Sequence, residues 1–162
     1  MKTYLLKKEK WYHTNYSIYQ NGELIGEYLP EKFKKPQLLS LKDRKYSYKK
    51  KRFWGTEMEL YLGNIKVAEI FPHSFKSKST ISLFSAGQFI FSNTNIWKGT
   101  MTLYEREKAI GECVSKSFIT KCTISDSASE HLVAAMLFIT QQRRNALIVF
   151  AALIPTFIAI FN

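Results

Sequence analysis

The chain has 162 residues and a mass of 18.9 kDa, which fits one folded domain with a short extension. Apolar residues make up 46% of it, enough to build a core, and this excludes a disordered chain. Its 24 Lys and Arg residues outnumber 13 Asp and Glu residues, and the net charge of +11 predicts an anionic partner, either nucleic acid or lipid head groups.

Two features of the sequence concern the compartment. The basic N-terminus contains only three successive apolar residues, at positions 4–6, whereas a secretory signal needs a longer apolar stretch. The two cysteines, Cys113 and Cys122, are too few for the disulfide framework of a small secreted domain. We therefore expect a cytosolic domain in which both thiols are reduced.

The three tryptophans mark an internal repeat. Trp11, Trp54 and Trp97 are 43 residues apart, and each begins a segment of the form W-x(5,6)-[IL]-Y-x5-[IV]-[GA]-E. The three copies end at Ile25-Gly26-Glu27, Val67-Ala68-Glu69 and Ile110-Gly111-Glu112. The alternative interpretation is that three unrelated hairpins happen to place their tryptophans at equal intervals.

Each copy is typical of a β-hairpin, because strand-forming residues flank a short turn sequence. The predicted turns are Asn21-Gly22, Gly63-Asn64 and 106–108. Residues 81–91 supply a further hairpin that turns at Ala86-Gly87. Roughly four strands per repeat predict a mainly β fold of about 12 antiparallel strands, closed into a barrel because a large open sheet leaves exposed edges.

Residues 31–52 form the most basic part of the chain, with ten Lys and Arg residues against Glu31 and Asp43. Basic side chains among aromatic ones suit an anionic membrane leaflet, where rings settle at the head groups, or single-stranded nucleic acid, where rings stack on bases. A solvated loop that only adds charge is the third interpretation. We favour lipid, and the candidate lipid-binding residues are Lys34, Lys35, Lys42, Arg44, Lys45, Lys49, Lys50, Lys51, Arg52 and Trp54.

A helix is predicted after the last repeat. The Ser-Ala-Ser-Glu sequence at 127–130 matches a capping box and predicts a helix that begins near Ala128. Residues 132–139 are apolar on every helical face, which indicates burial, and are too few to cross a bilayer. A barrel of this size needs a filling, so we expect a domain at 1–142 whose central helix spans about 128–142.

The last segment is a candidate membrane anchor. Residues 146–161 carry no charge, and together with the flanking asparagines they reach the lower limit for a transmembrane helix. Arg143 and Arg144 precede the segment as membrane-flanking residues, and the positive-inside rule places them on the cytoplasmic side. Residues 145–162 would then hold the barrel at the cytoplasmic face. Alternatively this segment is itself a core helix, so either apolar segment can be the one inside the barrel.

These residues together resemble a known family. A barrel of about a dozen strands, built from hairpins ending in Ile-Gly-Glu and filled by a late apolar helix, is similar to the tubby-like superfamily of tubby C-terminal domains, LURP-one-related proteins and phospholipid scramblases. The resemblance covers about residues 11–142, and 127–138 is similar to the late helix of the scramblase and LURP-one branch. It implies a role at membranes in binding or moving lipid. No family lipid-binding or calcium-binding motif matches, so no functional residue is carried over.

The sequence contains no pattern of catalytic residues. His13, His73 and His131 are scattered, and neither a nucleophile elbow nor a phosphate-binding loop is present. The glutamates that end the three repeats recur at equivalent strand positions, which is typical of structural cross-strand pairs with lysine. We therefore predict a non-enzyme with no metal, cofactor or evident small-molecule substrate.

The sequence as a whole predicts a membrane-associated, non-catalytic protein that binds anionic lipid or is tethered to the membrane through its barrel domain. Two alternatives stay open. One is a soluble, basic nucleic-acid-binding module whose C-terminus belongs to the core. The other is scramblase-like lipid translocation, which the resemblance alone suggests.

Overall fold

Twelve antiparallel strands form a closed barrel in the computed structural model, which describes residues 1–8, 10, 14–30, 36–51, 56–73, 78–95 and 98–144. Strands that follow one another in the chain are neighbours, and β1 closes the barrel by pairing with both β2 and β12. The strands are β1 (Lys2–Lys7), β2 (Tyr16–Gln20), β3 (Glu23–Leu29), β4 (Gln37–Leu41), β5 (Arg44–Lys50), β6 (Met58–Leu62), β7 (Ile65–His73), β8 (Lys78–Leu83), β9 (Gly87–Asn95), β10 (Thr100–Glu105), β11 (Lys108–Lys116) and β12 (Ile119–Ile124). The predicted closed barrel of about twelve strands is confirmed.

Side chains alternate between the inside and the outside of the barrel. In β5, Tyr46 and Tyr48 are buried, while Lys45 and Lys49 are exposed on the outer wall. A similar alternation, interrupted at the β-bulges, lines the inner wall with apolar side chains, as expected for strands with one solvated face. The hydrophobic core therefore lies inside the barrel.

One helix, α1 (130–144), fills the interior. Its residues 132–139 are at most 2% exposed. Side chains of α1 contact strands around the barrel: Phe138 packs on Tyr28 of β3 and Tyr48 of β5, Gln141 donates to Thr120 of β12, and Arg143 donates to Ser79 of β8. The predicted apolar helix is thus confirmed, and it is the earlier of the two apolar segments that lies inside. Residues 145–162 lie outside the described residues.

The helix begins later than the capping-box pattern predicts. The N–H of Leu132 donates to Oγ of Ser129 at 3.3 Å, so Ser129 caps α1, whereas the hydroxyl of Ser127 lies 2.9 Å from that of Ser125. The predicted start near Ala128 is therefore two residues early. Ser129 takes the role because its side chain, placed just before the first helical residue, satisfies a free backbone N–H.

Three hairpins contain a β-bulge at matching positions of the repeated motif. The register shifts fall between Ile18/Tyr19, Leu60/Tyr61 and Leu103/Tyr104, opposite Gly26, Ala68 and Gly111. A Cβ on Gly26 would overlap the backbone of Ser40, and one on Gly111 would lie 3.0 Å from the carbonyl oxygen of Thr123. The small residue is therefore required where the bulge brings one backbone close to the next strand. The three tryptophans lie outside the described residues.

The expectation of reduced cysteines is wrong in this structure. Cys113 of β11 and Cys122 of β12 form a disulfide. The register pairs the two residues directly opposite each other, and both are fully buried on the inner wall. A cysteine count cannot reveal this arrangement, because the pairing depends on the register of the last hairpin.

The barrel has two different ends. The turn end holds the short hairpin turns at 21–22, 42–43, 63–64, 84–86 and 106–107, together with the segment that leads from β12 into α1. The loop end holds the connections that follow β1, β3, β5, β7, β9 and β11. Helix α1 runs from the turn end, where Glu130 bonds Tyr46, to the loop end, where Gln142 bonds Tyr48.

Candidate functional site

The predicted basic cluster is divided between the two ends of the barrel. Lys42, Arg44 and Lys45 lie at or beside the turn end, and Lys49, Lys50 and Lys51 lie at or beside the loop end. Because a strand rises about 3.3 Å per residue, the two ends of β5 are separated by roughly 20 Å. The other candidates, Lys34, Lys35, Arg52 and Trp54, lie outside the described residues.

The turn-end group is bound to the start of α1. Nε of Arg44 lies 3.7 Å from Oε1 of Glu130, and the Tyr46 hydroxyl donates to the same oxygen at 3.1 Å. The Tyr46 hydroxyl also lies 3.1 Å from Nδ1 of His131. Burial, together with the nearby Glu130 carboxylate, raises the pKa of Tyr46 to about 12. These contacts hold the helix start, so Arg44 has a structural partner at this end.

The loop end carries the excess positive charge. Counting connections, terminal strand residues and the helix end, its described part has ten basic side chains and one acidic one. They are Lys7, Lys8, Lys10, Lys50, Lys51, Lys78, Lys98, Lys116, Arg143 and Arg144, with Glu57 as the acid. The charge of the chain is therefore segregated toward one end.

The turn end, counted in the same way, is almost balanced. It has five basic and six acidic side chains. They are Lys2, Lys42, Arg44, Arg106 and Lys108, with Glu23, Asp43, Glu105, Glu107, Asp126 and Glu130. The N-terminal amine adds a further ion pair there, 2.6 Å from the Asp126 carboxylate. This end has no comparable attraction for an anionic surface.

The predicted membrane-flanking arginines contact the inner wall at the loop end. Arg143 donates to Oγ of Ser79 at 2.9 Å, and burial lowers the pKa of its guanidinium. Arg144 is 9% exposed, donates to Oγ1 of Thr120 at 3.2 Å and lies 5.5 Å from the ring centroid of Tyr16. Both side chains are therefore bound to inner-wall residues immediately before residue 145.

The glutamate of the second repeat, Glu69, pairs with Lys66 of its own strand β7, and the lysine that reaches it from elsewhere in the sheet, as predicted, is Lys51 at 3.7 Å. Nζ of Lys66 lies 2.8 Å from Oε1 of Glu69 and 3.2 Å from Oε1 of Glu59, and the Tyr61 hydroxyl donates to Glu59 at 2.8 Å. The hydrogen bond from Tyr61 lowers the pKa of Glu59, and that from Lys66 lowers the pKa of Glu69. Glu27 and Glu112 instead lie beside serine and threonine positions of neighbouring strands. The lysine pairing is therefore seen for one repeat of the three.

The two described histidines, His73 and His131, are apart from one another. His73 bonds Thr80 on the outer wall, His131 bonds Tyr46 inside, and His13 lies outside the described residues. Within the described ranges, no group of three or more His, Cys, Asp or Glu side chains is arranged to hold a metal ion. In the same part of the chain, no helix has both the length and the apolar character needed to cross a bilayer. The candidate anchor at 145–162 falls outside that part.

Comparison of the chain with known protein families, with curated proteins and with solved structures finds no match. The tubby-like resemblance stays a hypothesis. The function is therefore inferred from the barrel architecture and from the distribution of charge over its two ends.

The sequence analysis did not predict several basic residues of the loop end, because they do not belong to one continuous basic stretch. Lys8, Lys78, Lys98 and Lys116 are separated along the chain but meet at the same end of the barrel. Their positions in the sequence could have revealed this, because each lies next to the open end of a predicted hairpin, away from its turn. In an antiparallel meander, alternate connections meet at one end.

Proposed function

We propose that this protein is a non-catalytic, membrane-associated protein that binds anionic lipid head groups through the loop end of its barrel. The observation that carries the proposal is the charge segregation: of the ten basic side chains in the described part of the loop end, Arg143 and Arg144 are bound to the inner wall, and seven lysines are exposed against one acidic residue, Glu57, which pairs with Lys51. Each Lys or Arg close to an anionic leaflet contributes about 1 kcal/mol. Several such residues at one end of the barrel orient the protein so that this end faces a negatively charged surface.

The position of the candidate anchor supports the same orientation. Helix α1 ends at the loop end, so residues 145–162 continue the chain from there. An inserted tail and a basic barrel end would then face one bilayer.

The outer wall favours a barrel that stands on the membrane surface. Glu27, Lys49, Glu59, Glu69 and Glu112 point outward from the strands, and such side chains are costly against acyl chains. Because α1 fills the lumen, the geometry also favours lipid binding over passage of a head group through the barrel.

A matched pair of triple variants of the full-length protein tests the proposal. Lys50, Lys78 and Lys116 are changed to Gln at the loop end, and Lys42, Lys45 and Lys108 are changed to Gln at or beside the turn end. All six side chains are exposed, and both variants lose the same charge. Binding is measured by flotation with vesicles of phosphatidylcholine alone or mixed with phosphatidylserine, at low and high salt.

We expect the loop-end variant to bind the mixed vesicles up to about 100-fold more weakly, since three lysines contribute about 1 kcal/mol each. The turn-end variant should bind like the wild type, and high salt should weaken the wild type toward its affinity for phosphatidylcholine. Equal losses in both variants would contradict a docking end. Binding of a single-stranded oligonucleotide with no preference for phosphatidylserine would instead favour the nucleic-acid alternative.

The tail is tested separately by washing membranes that contain the protein with high salt and then with alkaline carbonate. Retention after carbonate is the result expected of an inserted anchor. Release by carbonate would show that residues 145–162 do not span the bilayer, and head-group binding would then depend on the barrel alone.

A further inference from the structure

The hairpin that joins β11 to β12 presents apolar side chains at the loop end. Phe118 occupies the turn and is 48% exposed, and Ile119, the first residue of β12, is 43% exposed. Large apolar side chains at the tip of a hairpin have few protein neighbours to cover them. Two adjacent apolar side chains exposed on the charged end of the barrel form a candidate contact site.

This turn is held in place by the strands around it. The N–H of Lys8 donates to the carbonyl oxygen of Phe118 at 2.9 Å, so the chain after β1 is bonded to the turn. Ile119 pairs with Lys116 across the hairpin and with Lys7 of β1. The Cys113–Cys122 disulfide joins the same two strands further inside. The tip is thus fixed before any partner arrives, which reduces the entropy lost on binding.

Lysines surround the apolar tip. Lys116 precedes the turn, Lys7 lies across from Ile119, and Lys8 is bonded to Phe118 through the backbone. Lys121 follows two residues later on the outer wall. An apolar tip flanked by lysines matches the head-group region of an anionic bilayer, where phosphates meet the lysines and the phenyl ring reaches the acyl boundary.

We propose that the β11–β12 turn inserts Phe118 and Ile119 into the interface of an anionic bilayer and so fixes the barrel with its loop end toward the membrane. This inference rests on the proposed function, and names the element that enters the lipid. The charge complementarity between the surrounding lysines and anionic head groups selects this partner.

The turn end offers a matched control in Phe84. It also lies in a hairpin turn and is 61% exposed, and Nζ of Lys66 lies 5.4 Å from its ring centroid. Phe84 thus shares residue type, exposure and a nearby lysine with Phe118, but belongs to the opposite end. A different response to vesicles at the two positions would therefore show which end of the barrel faces the membrane, and could not be explained by an exposed aromatic side chain alone.

The experiment places an environment-sensitive nitrobenzoxadiazole label on Phe118→Cys or Phe84→Cys in the full-length protein. The only two native cysteines are joined in the buried disulfide, so the introduced thiol is the one that reacts. With vesicles of phosphatidylcholine and phosphatidylserine, we expect a blue shift and an intensity gain at position 118 and no change at position 84. A shift at position 84 alone, or at both positions, would overturn the orientation.

Flotation of the same labelled proteins separates this inference from the proposed function. Proteins that float with the vesicles while position 118 stays unshifted would show head-group docking without insertion of the turn, so only the insertion would be wrong. Proteins that do not float at all would contradict both proposals.

A second pair of variants measures the contribution of the ring. Phe118→Ser should weaken binding to the mixed vesicles about tenfold, and Phe84→Ser should leave it unchanged within about twofold, because only the first ring leaves water on binding. The loss at position 118 should persist at high salt, which screens the lysines but not the apolar contact. Equal affinities of Phe118→Ser and wild type would overturn the insertion.

Discussion

The turn end and the loop end of the barrel are formed by the same twelve strands, yet one is nearly balanced in charge and the other is strongly basic. The connections explain the difference. In a closed meander of antiparallel strands, connections alternate between the two ends, so residues far apart in sequence meet whenever they occupy alternate connections. Charge placed in alternate connections therefore becomes one surface, while the strands that build the core remain unaffected.

Helix α1 joins the two ends and is bound differently at each. At the turn end its Glu130 and His131 contact Tyr46, and at the loop end its Gln142 contacts Tyr48. Between these contacts, residues 132–139 of the helix are apolar and buried. Changes in the middle of α1 should therefore disturb both ends together, whereas changes at its termini should be local.

The largest effect is expected from Phe138→Ala. The ring is fully buried, stacks on Tyr48 at 4.8 Å and meets Tyr28 edge-on at 5.8 Å. Its loss leaves a cavity in the middle of the lumen and should lower the free energy of unfolding by about 3–5 kcal/mol. Urea unfolding measures this, with Phe84→Ala as the exposed control. A loss below about 1 kcal/mol would contradict the packing of α1 inside the barrel.

Removal of the disulfide should have the next largest effect. The bond closes the hairpin whose turn lies at the loop end, and the Cys113→Ala/Cys122→Ala variant should be less stable by about 2–4 kcal/mol. Reductant should destabilise the wild type under unfolding conditions and leave the double variant unaffected. A free-thiol assay of protein unfolded without reductant should find no reactive cysteine, and two reactive thiols would contradict the bond.

A smaller effect, about 1 kcal/mol, is expected at each end of α1 from removing one tyrosine hydroxyl. Tyr46→Phe loses its bonds to Glu130 and His131, and Tyr48→Phe loses its bond to Gln142. Chemical denaturation should show the larger loss for Tyr46→Phe, since that hydroxyl has two partners. The reverse order would indicate that the loop end holds the helix more firmly.

The smallest effect concerns pH at the turn end. Burial, with the positive charge of Arg44 second, lowers the pKa of His131 in the folded protein, although Glu130 acts in the opposite direction. The unfolded chain then takes up the proton first, near pH 6.5. Protonation of His131 therefore costs nothing above about pH 6.5, and the free energy of unfolding decreases as the pH falls from there through the pKa of His131 in the folded protein. His131→Gln should flatten this acid slope in urea unfolding, and an unchanged slope would assign it to other groups.

Much of the fold followed from the sequence because its signals are local. Asn21-Gly22 and Gly63-Asn64 form the predicted turns, and strands of alternating polarity flank them. The all-apolar run at 132–139 had to be buried, since no face of it is polar. Strand number and closure came from the same reasoning, because each hairpin turn joins two strands and a large open sheet exposes its edges.

The errors and the missed residues have one physical cause, which is that they depend on how distant parts of the chain are brought together. Whether Cys113 meets Cys122 is decided by how β11 slides against β12, and a shift by one residue would place them on opposite faces. The cap at Ser129 depends in the same way on where α1 enters the barrel. Local composition does not contain this information.

By itself, then, the sequence determined the barrel, its apolar core and the excess of positive charge, since turn residues, alternation and composition are properties of short segments. Only the tertiary structure decided that Arg44 belongs to the helix start, that Lys50 and Lys116 share one end, and that Phe118 is exposed beside them. The reason is geometric: closure brings alternate connections together over distances that no local pattern spans.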